Sequence, residues 1–195
     1  MSRTRISSVL LAALLAAGLV MPALAGPRDH EDGLLLRLSG GVGYGQSKFD
    51  DFKITGPSGD INFALGGIVS RNTAVHGTVL GWVISDPDVK VNGNTVGQIN
   101  GDFELTGIGV GITHYFMPSN VYLSPTIGAG RLEIENDHTD IGLVTDLTLG
   151  KEWWVGSHWG LGLAGALGFH SISDGEVDGS WSAPTFALRF TATMN

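Results

Sequence analysis

Period-two alternation between large apolar and small residues, recurring along most of the chain, restricts its fold more than any other feature. In the stretch from Trp159, Leu161, Leu163, Leu167 and Phe169 share one parity with it, while Gly160, Gly162, Ala164, Ala166 and Gly168 share the other. Only a β-strand sends alternate residues to opposite faces, so each such run is a strand with one bulky apolar face and one slender face. Near the end of the chain, Phe186, Leu188 and Phe190 oppose Thr185, Ala187, Arg189 and Thr191, which places a charge among the small residues. The bulky face suits lipid and the slender face suits a narrow interior. Two long uncharged stretches, Leu105 to Gly130 and Trp153 to Ser173, are read as strands rather than membrane helices. The first is split by Met117-Pro118-Ser119-Asn120, and both place Gly or small polar residues at the strand period.

The alternation predicts eight strands: Gly33 to Gly45, Ile61 to Val69, Thr73 to Ser85, Asp102 to Phe116, Asn120 to Leu132, Ile141 to Trp154, Trp159 to Ser173 and Trp181 to Met194. The intervening segments alternate in length. Long polar connections are expected at Gln46 to Asp60, Asp86 to Gly101, Glu133 to Asp140 and Asp174 to Ser180, and tight turns at Ser70 to Asn72, Met117 to Ser119 and Val155 to His158. This is the pattern of an all-β, eight-stranded antiparallel up-and-down transmembrane β-barrel with long loops outside the cell and short turns in the periplasm. Aromatic residues near strand ends, among them Tyr115, Phe116, Tyr122, Trp153, Trp154 and Trp159 at one end and Tyr44, Trp82, Phe103, Phe169 and Trp181 at the other, are expected to form two interfacial girdles.

Residues 1–25 read as an export signal, with Arg3 and Arg5, an apolar stretch from Val9 to Met21, and Ala23-Leu24-Ala25 before the cut. Residues 26–32 then form a short periplasmic segment and 33–195 the barrel domain. The absence of cysteine removes any disulfide framework, so stability falls to a closed hydrogen-bonded sheet. A content of 30 Gly with 15% charged residues disfavours both a helical bundle and a disordered chain, and a net charge of −8 without basic clusters excludes a nucleic-acid partner.

The chain resembles the small eight-stranded outer-membrane barrels of the OmpA/OmpX type. The resemblance is carried by the Gly-rich run Leu38-Ser39-Gly40-Gly41-Val42-Gly43-Tyr44, by Tyr115-Phe116-Met117-Pro118 entering a turn, and by Gly150-Lys151-Glu152-Trp153-Trp154. It implies a monomer in the cell outer membrane whose partners are outer-membrane lipid and lipopolysaccharide. One departure concerns the family's usual terminal aromatic residue, in place of which this sequence has Ala192-Thr193-Met194-Asn195.

Eight strands enclose an interior that side chains fill, so charges on the inner parity must pair with one another. Arg37, Arg189, Asp146 and Glu152 are the expected network, structural in role. The four long connections carry Asp50, Asp51, Asp60, Asp86, Asp88, Glu133, Glu135, Asp137, Asp140, Asp174, Glu176 and Asp178, against Lys48, Lys53 and Lys90. The outer face should be strongly negative, and divalent cations could bridge it to lipopolysaccharide phosphates.

No cofactor is expected and no dedicated metal site. Asp174-Gly175-Glu176-Val177-Asp178-Gly179 starts like a calcium-binding loop, but Thr185 stands where a bidentate Glu is required. An enzyme is not expected either. His170 has Ser171 and Ser173 as sequence neighbours, and both fall on the opposite face; His76 and His114 lack ligand-like partners. The reading is therefore a mainly structural or surface-exposed barrel with a closed or very narrow lumen. The alternatives are an adhesion barrel acting through its acidic loops, a narrow transporter of small or apolar molecules, and a soluble lipocalin-type barrel.

Overall fold

The computed structural model describes residues 28–134, 137–174 and 179–195. The export signal, Glu135, Glu176 and Asp178 lie outside the described residues. The strands are β1 (Leu34–Phe49), β2 (Phe52–Ser70), β3 (Thr73–Ser85), β4 (Asp88–Val91), β5 (Asn94–Gln98), β6 (Asp102–Phe116), β7 (Val121–Ile134), β8 (Asp137–His138), β9 (Gly142–Trp154), β10 (Trp159–Ser173) and β11 (Ser180–Met194). Eight of them, β1, β2, β3, β6, β7, β9, β10 and β11, form an all-antiparallel ring that closes through the pairing of β1 with β11. Along that seam Arg37 lies opposite Thr193, Gly41 opposite Arg189 and Tyr44 opposite Phe186. Closure satisfies the wall's backbone hydrogen bonding with no free edge, the condition for a sheet to stand in lipid.

Outward residues form a continuous apolar belt. On β1 it runs from Leu34 through Leu36, Leu38 and Val42 to Tyr44, and on β6 it comprises Ile108, Val110 and Ile112. About ten residue steps of ~3.3 Å each, tilted by ~40°, give a belt about 25 Å tall, the thickness of an outer-membrane hydrocarbon layer. Inward glycines make room for side chains and backbone of the neighbouring strand. A Cβ on Gly150 would lie 2.6 Å from the Tyr122 hydroxyl, and one on Gly109 would lie 2.6 Å from the Ile127 carbonyl oxygen. Both positions therefore require glycine.

Three expectations need correction. The first long connection is no loop: β1 and β2 continue beyond the belt as a paired hairpin and turn at Asp50 and Asp51, so most of the segment from Gln46 to Asp60 is strand. The alternation of apolar and small residues fades there because the hairpin has left the lipid, which hid the strand in the sequence. The second connection is also folded. It forms the hairpin β4–β5, and β4 pairs with the projecting part of β2 through Phe52 to Thr55.

The girdle assignment is the third correction. Tyr115, Tyr122, Trp154, Trp82 and Phe103 are buried inside the barrel, and Trp181 is half-buried against that interior, whereas Phe116, Trp153, Trp159, Tyr44 and Phe169 face outward. Position near a strand end does not separate the two sets; parity does. The inward aromatics pack the two ends of the lumen. Trp82 and Phe103 join Ile54, Ile84, Leu105 and Val144 at the outer end, while Tyr115 and Tyr122 join Leu35 and Ala74 at the periplasmic end. The interior is therefore not lined by small residues alone.

Candidate functional site

Between those aromatic layers the lumen holds two charged layers. In the lower one, Arg37 on β1 projects across the barrel, its Nε 3.4 Å from Glu152 Oε1 on β9. Its Nη2 donates to the Tyr115 hydroxyl at 2.6 Å, which in turn donates to Glu152 Oε2 at 3.3 Å. Thr193 donates to Glu152 Oε1 at 2.6 Å, and the guanidinium lies 4.1 Å from the centre of the Tyr122 ring. Every donor of such a buried pair needs an acceptor if the pair is to be tolerated, and the hydroxyls of Thr113, Tyr115 and Thr193 accept from Arg37.

In the upper layer, Arg189 on β11 is clamped from two sides. Its Nη2 donates to Asp60 Oδ2 at 3.0 Å and to Asp146 Oδ2 at 2.7 Å, its Nη1 donates to Asp146 Oδ1 at 2.9 Å, and its Nε donates to Asp60 Oδ1. The structure thus brings Arg37 to Glu152 and Arg189 to Asp146, and it holds these as two separate layers. Asp60 is the residue that sequence reasoning missed. It had been grouped with the acidic loop, but β2 starts at Phe52, and Asp60 falls on the inner parity of Ser58, Asn62 and Ala64. Continuing the parity of Ile61 to Val69 backward by one residue would have found it.

The periplasmic mouth is closed by residues 28–32, which lie across it. The ring of His30 stacks on Tyr115 with centroids 3.7 Å apart, and its Nε2 lies 2.9 Å from Asn120 Oδ1. The His30 N–H donates to Asn72 Oδ1 at 2.8 Å, the Asn72 N–H donates to the His30 carbonyl at 2.7 Å, and Asn195 meets the other ring nitrogen. Burial pushes the His30 pKa down, against the pull of its contact with Asn120 and of the Glu152 carboxylate. Beside it, the Arg71 guanidinium and the Asn72 amide hold Asp29 below the usual carboxylate range.

The acidic cap is distributed rather than focused. Asp50, Asp51, Asp86, Asp137 and Asp140 are exposed, Asp88 accepts from Gln98 Nε2 at 3.0 Å, and Glu133 lies 3.5 Å from Arg131 on its own strand. Asp174 accepts from Trp181 Nε1 at 2.7 Å, which ties down the start of the last connection. Among the described residues no group of three or more His, Asp and Glu is arranged to hold a metal ion. One sheet edge stays open above the membrane, where β5 pairs with β4 on one side only and all five of its residues are exposed.

His170 finds a serine, though neither of its sequence neighbours. Its Nε2 lies 2.8 Å from Ser47 Oγ on the extended part of β1, while Ser171 and Ser173 sit on the outer parity. Both members of the pair are at most 1% exposed, and among the described residues no carboxylate bonds the imidazole. His76 is satisfied by Thr78 and Thr113, and His114 by Thr73.

No family model and no curated relative matches the chain. Solved structures do. Neisserial surface protein A (NspA) superposes with a TM-score of 0.58 at 12% identity, covering 83% of this chain and 98% of that one. Ail, the attachment invasion locus protein of Yersinia pestis, in complex with the heparin analogue sucrose octasulfate, gives 0.53 at 14% identity over 84% and 99%. The outer membrane protein OprG from Pseudomonas aeruginosa gives 0.52 at 10% identity over 85% and 98%. The fold of this chain is that of the small eight-stranded outer-membrane barrels, and its apolar belt is built to lie in lipid.

Proposed function

We propose that this outer-membrane barrel conducts nothing and acts through what it displays outside the cell. The observation that carries this reading is the filled lumen: a docked N-terminal segment, two buried charge layers and an apolar cap succeed one another from mouth to mouth. Transport of small or apolar molecules through such an interior would require all four to rearrange. Purified barrel in planar bilayers should therefore give no discrete single-channel steps under an applied voltage. Regular openings in every preparation would overturn the reading.

The displayed surface favours binding over a purely structural role because of the open edge at β5. Its unpaired N–H and C=O groups are a template for an added strand, and neither charge nor proline blunts it. Asp50, Asp51, Asp86 and Asp88 outnumber Lys48, Lys53 and Lys90 on the same projecting hairpins, so a cationic extended segment of a surface protein suits it best. A sulfated polysaccharide of the kind represented in the Ail complex would meet like charge here. Binding of a Lys-rich peptide to the barrel in vesicles should weaken with added salt and be lost in Thr95→Pro, which removes an edge donor. Unchanged binding in that variant, or binding indifferent to salt, would exclude docking at the edge.

Lipopolysaccharide and outer-membrane lipid are the proposed surroundings of the belt, with divalent cations bridging the cap to lipid phosphates, and the barrel works as a monomer.

A further inference from the structure

The upper charge layer is one positive charge short. Arg189 is the cation that contacts Asp60 and Asp146, and the pair of Arg37 with Glu152 below is already balanced. Both aspartates are more than nine-tenths buried, and a buried carboxylate without a counter-charge is strongly disfavoured. A second feature lies against the same residues. A cavity of about 20 Å³, room for roughly one water-sized species, separates the triad from the apolar cap. Ser58 and Thr185 line it, each more than nine-tenths buried, and neither hydroxyl has a hydrogen-bond partner among the described residues.

We propose that this cavity is a monovalent-cation site, in which one alkali ion is held by the carboxylate oxygens of Asp60 and Asp146 and the hydroxyls of Ser58 and Thr185. The ligands are hard oxygens, which suits an alkali ion and suits no soft metal. The deficit is a single charge. A divalent ion would overshoot it, and such ions take six to eight oxygens or a nearly complete water shell, for which the cavity has no room.

Other titratable groups are few. His170 on β10 lines the cavity with its Nε2 on Ser47, while β3 and β6 contribute Leu80, Trp82 and Leu105, none of them charged. Below the triad lie His76, Arg37 and Glu152, bonded within their own layer. This site is independent of whatever docks on the cap.

The test uses the full barrel folded in detergent micelles. Its melting midpoint is followed by unheated gel mobility in sodium chloride and in choline chloride at equal ionic strength, and its infrared spectrum is recorded at neutral pH. An alkali ion raises the midpoint in sodium over choline. Equal midpoints together with the carbonyl band of a protonated carboxylic acid would mean that an aspartate is neutral and no ion is held, which overturns the proposal. The sodium dependence should vanish in Asp60→Asn, which removes the surplus charge, and also in Asp146→Asn, which serves if the first variant does not fold. It should persist in His170→Gln. Equal midpoints without the band would overturn the proposal too, and so would loss of the sodium dependence in His170→Gln, which would place the ion on the imidazole nitrogen rather than on the carboxylates.

Discussion

Arg189 shows how much of this interior rests on single side chains. Its guanidinium satisfies two carboxylates at once, and among the described residues no other cationic side chain reaches them. Arg189→Leu should therefore destabilise the folded barrel by about 3–5 kcal/mol, the usual consequence of removing one partner from a buried ion pair. The measurement is the urea midpoint of the barrel in lipid vesicles, and an unchanged midpoint would mean that water already screens the triad. His30 makes a second prediction at this scale, with the opposite pH sign from a carboxylate. Because burial lowers its pKa below the ordinary histidine value of about 6.5, the docked segment holds fewer protons than the released one. Docking is then fully present above that value and weakens as pH falls below it. Proteolysis of residues 28–32 should accelerate on acidification, and His30→Gln should flatten that dependence.

At the level of elements, the strands that touch lipid were legible in the sequence and the parts that leave it were not. Trp159 to Ser173 reads off its alternation residue by residue, because one face must be apolar and the other must fit a narrow interior. Past Tyr44, β1 meets water on its outer side, so Gln46 and Lys48 replace the apolar beat and the hairpin passes for a loop. The charges inside were legible only where parity was secure. Arg37, Asp146, Glu152 and Arg189 lie on such runs, whereas Asp60 lies just beyond one, and the edge formed by β5 depends on a tertiary pairing that no local pattern announces. The belt itself is open to test. Val110 sits on β6 and is 63% exposed toward lipid, so Val110→Arg should cost about 2–4 kcal/mol in vesicles. Thr113→Val lies on the inner face of the same strand and removes an acceptor of Arg37 and of His76; its cost should instead come from the lumen network and be independent of bilayer thickness.

The whole molecule divides into a membrane cylinder and a cap that obey different rules. The cylinder is ordered by closure, and its ends are sealed by aromatic layers that the sequence placed in the wrong compartment. The cap extends the wall into water, and its exposed Asp50, Asp51, Asp86, Asp137 and Asp140 outnumber Lys48, Lys53 and Lys90, which leaves a net like-charge repulsion. Raising the ionic strength should therefore stabilise the projecting hairpins while leaving the cylinder unchanged, because screening acts on exposed charges and hardly on buried ones. Amide hydrogen exchange resolves the two: protection in Phe52 to Gln98 should rise with salt above the belt and stay constant within it. A uniform response along β2 would mean that the hairpins and the wall open as one unit.

The contacts of His30 also give the molecule a sense of order in time. Its ring nitrogens meet Asn120, from one periplasmic turn, and Asn195, which follows the last strand, while its backbone pairs with Asn72 of another turn. That pocket does not exist until β11 has met β1, so the segment can settle only on a finished ring. A chain whose seam is still open offers His30 no seat, and the segment then stays within reach of periplasmic proteases and chaperones. Docking of the segment thus reports, at the mouth of the barrel, that the seam between β1 and β11 is closed.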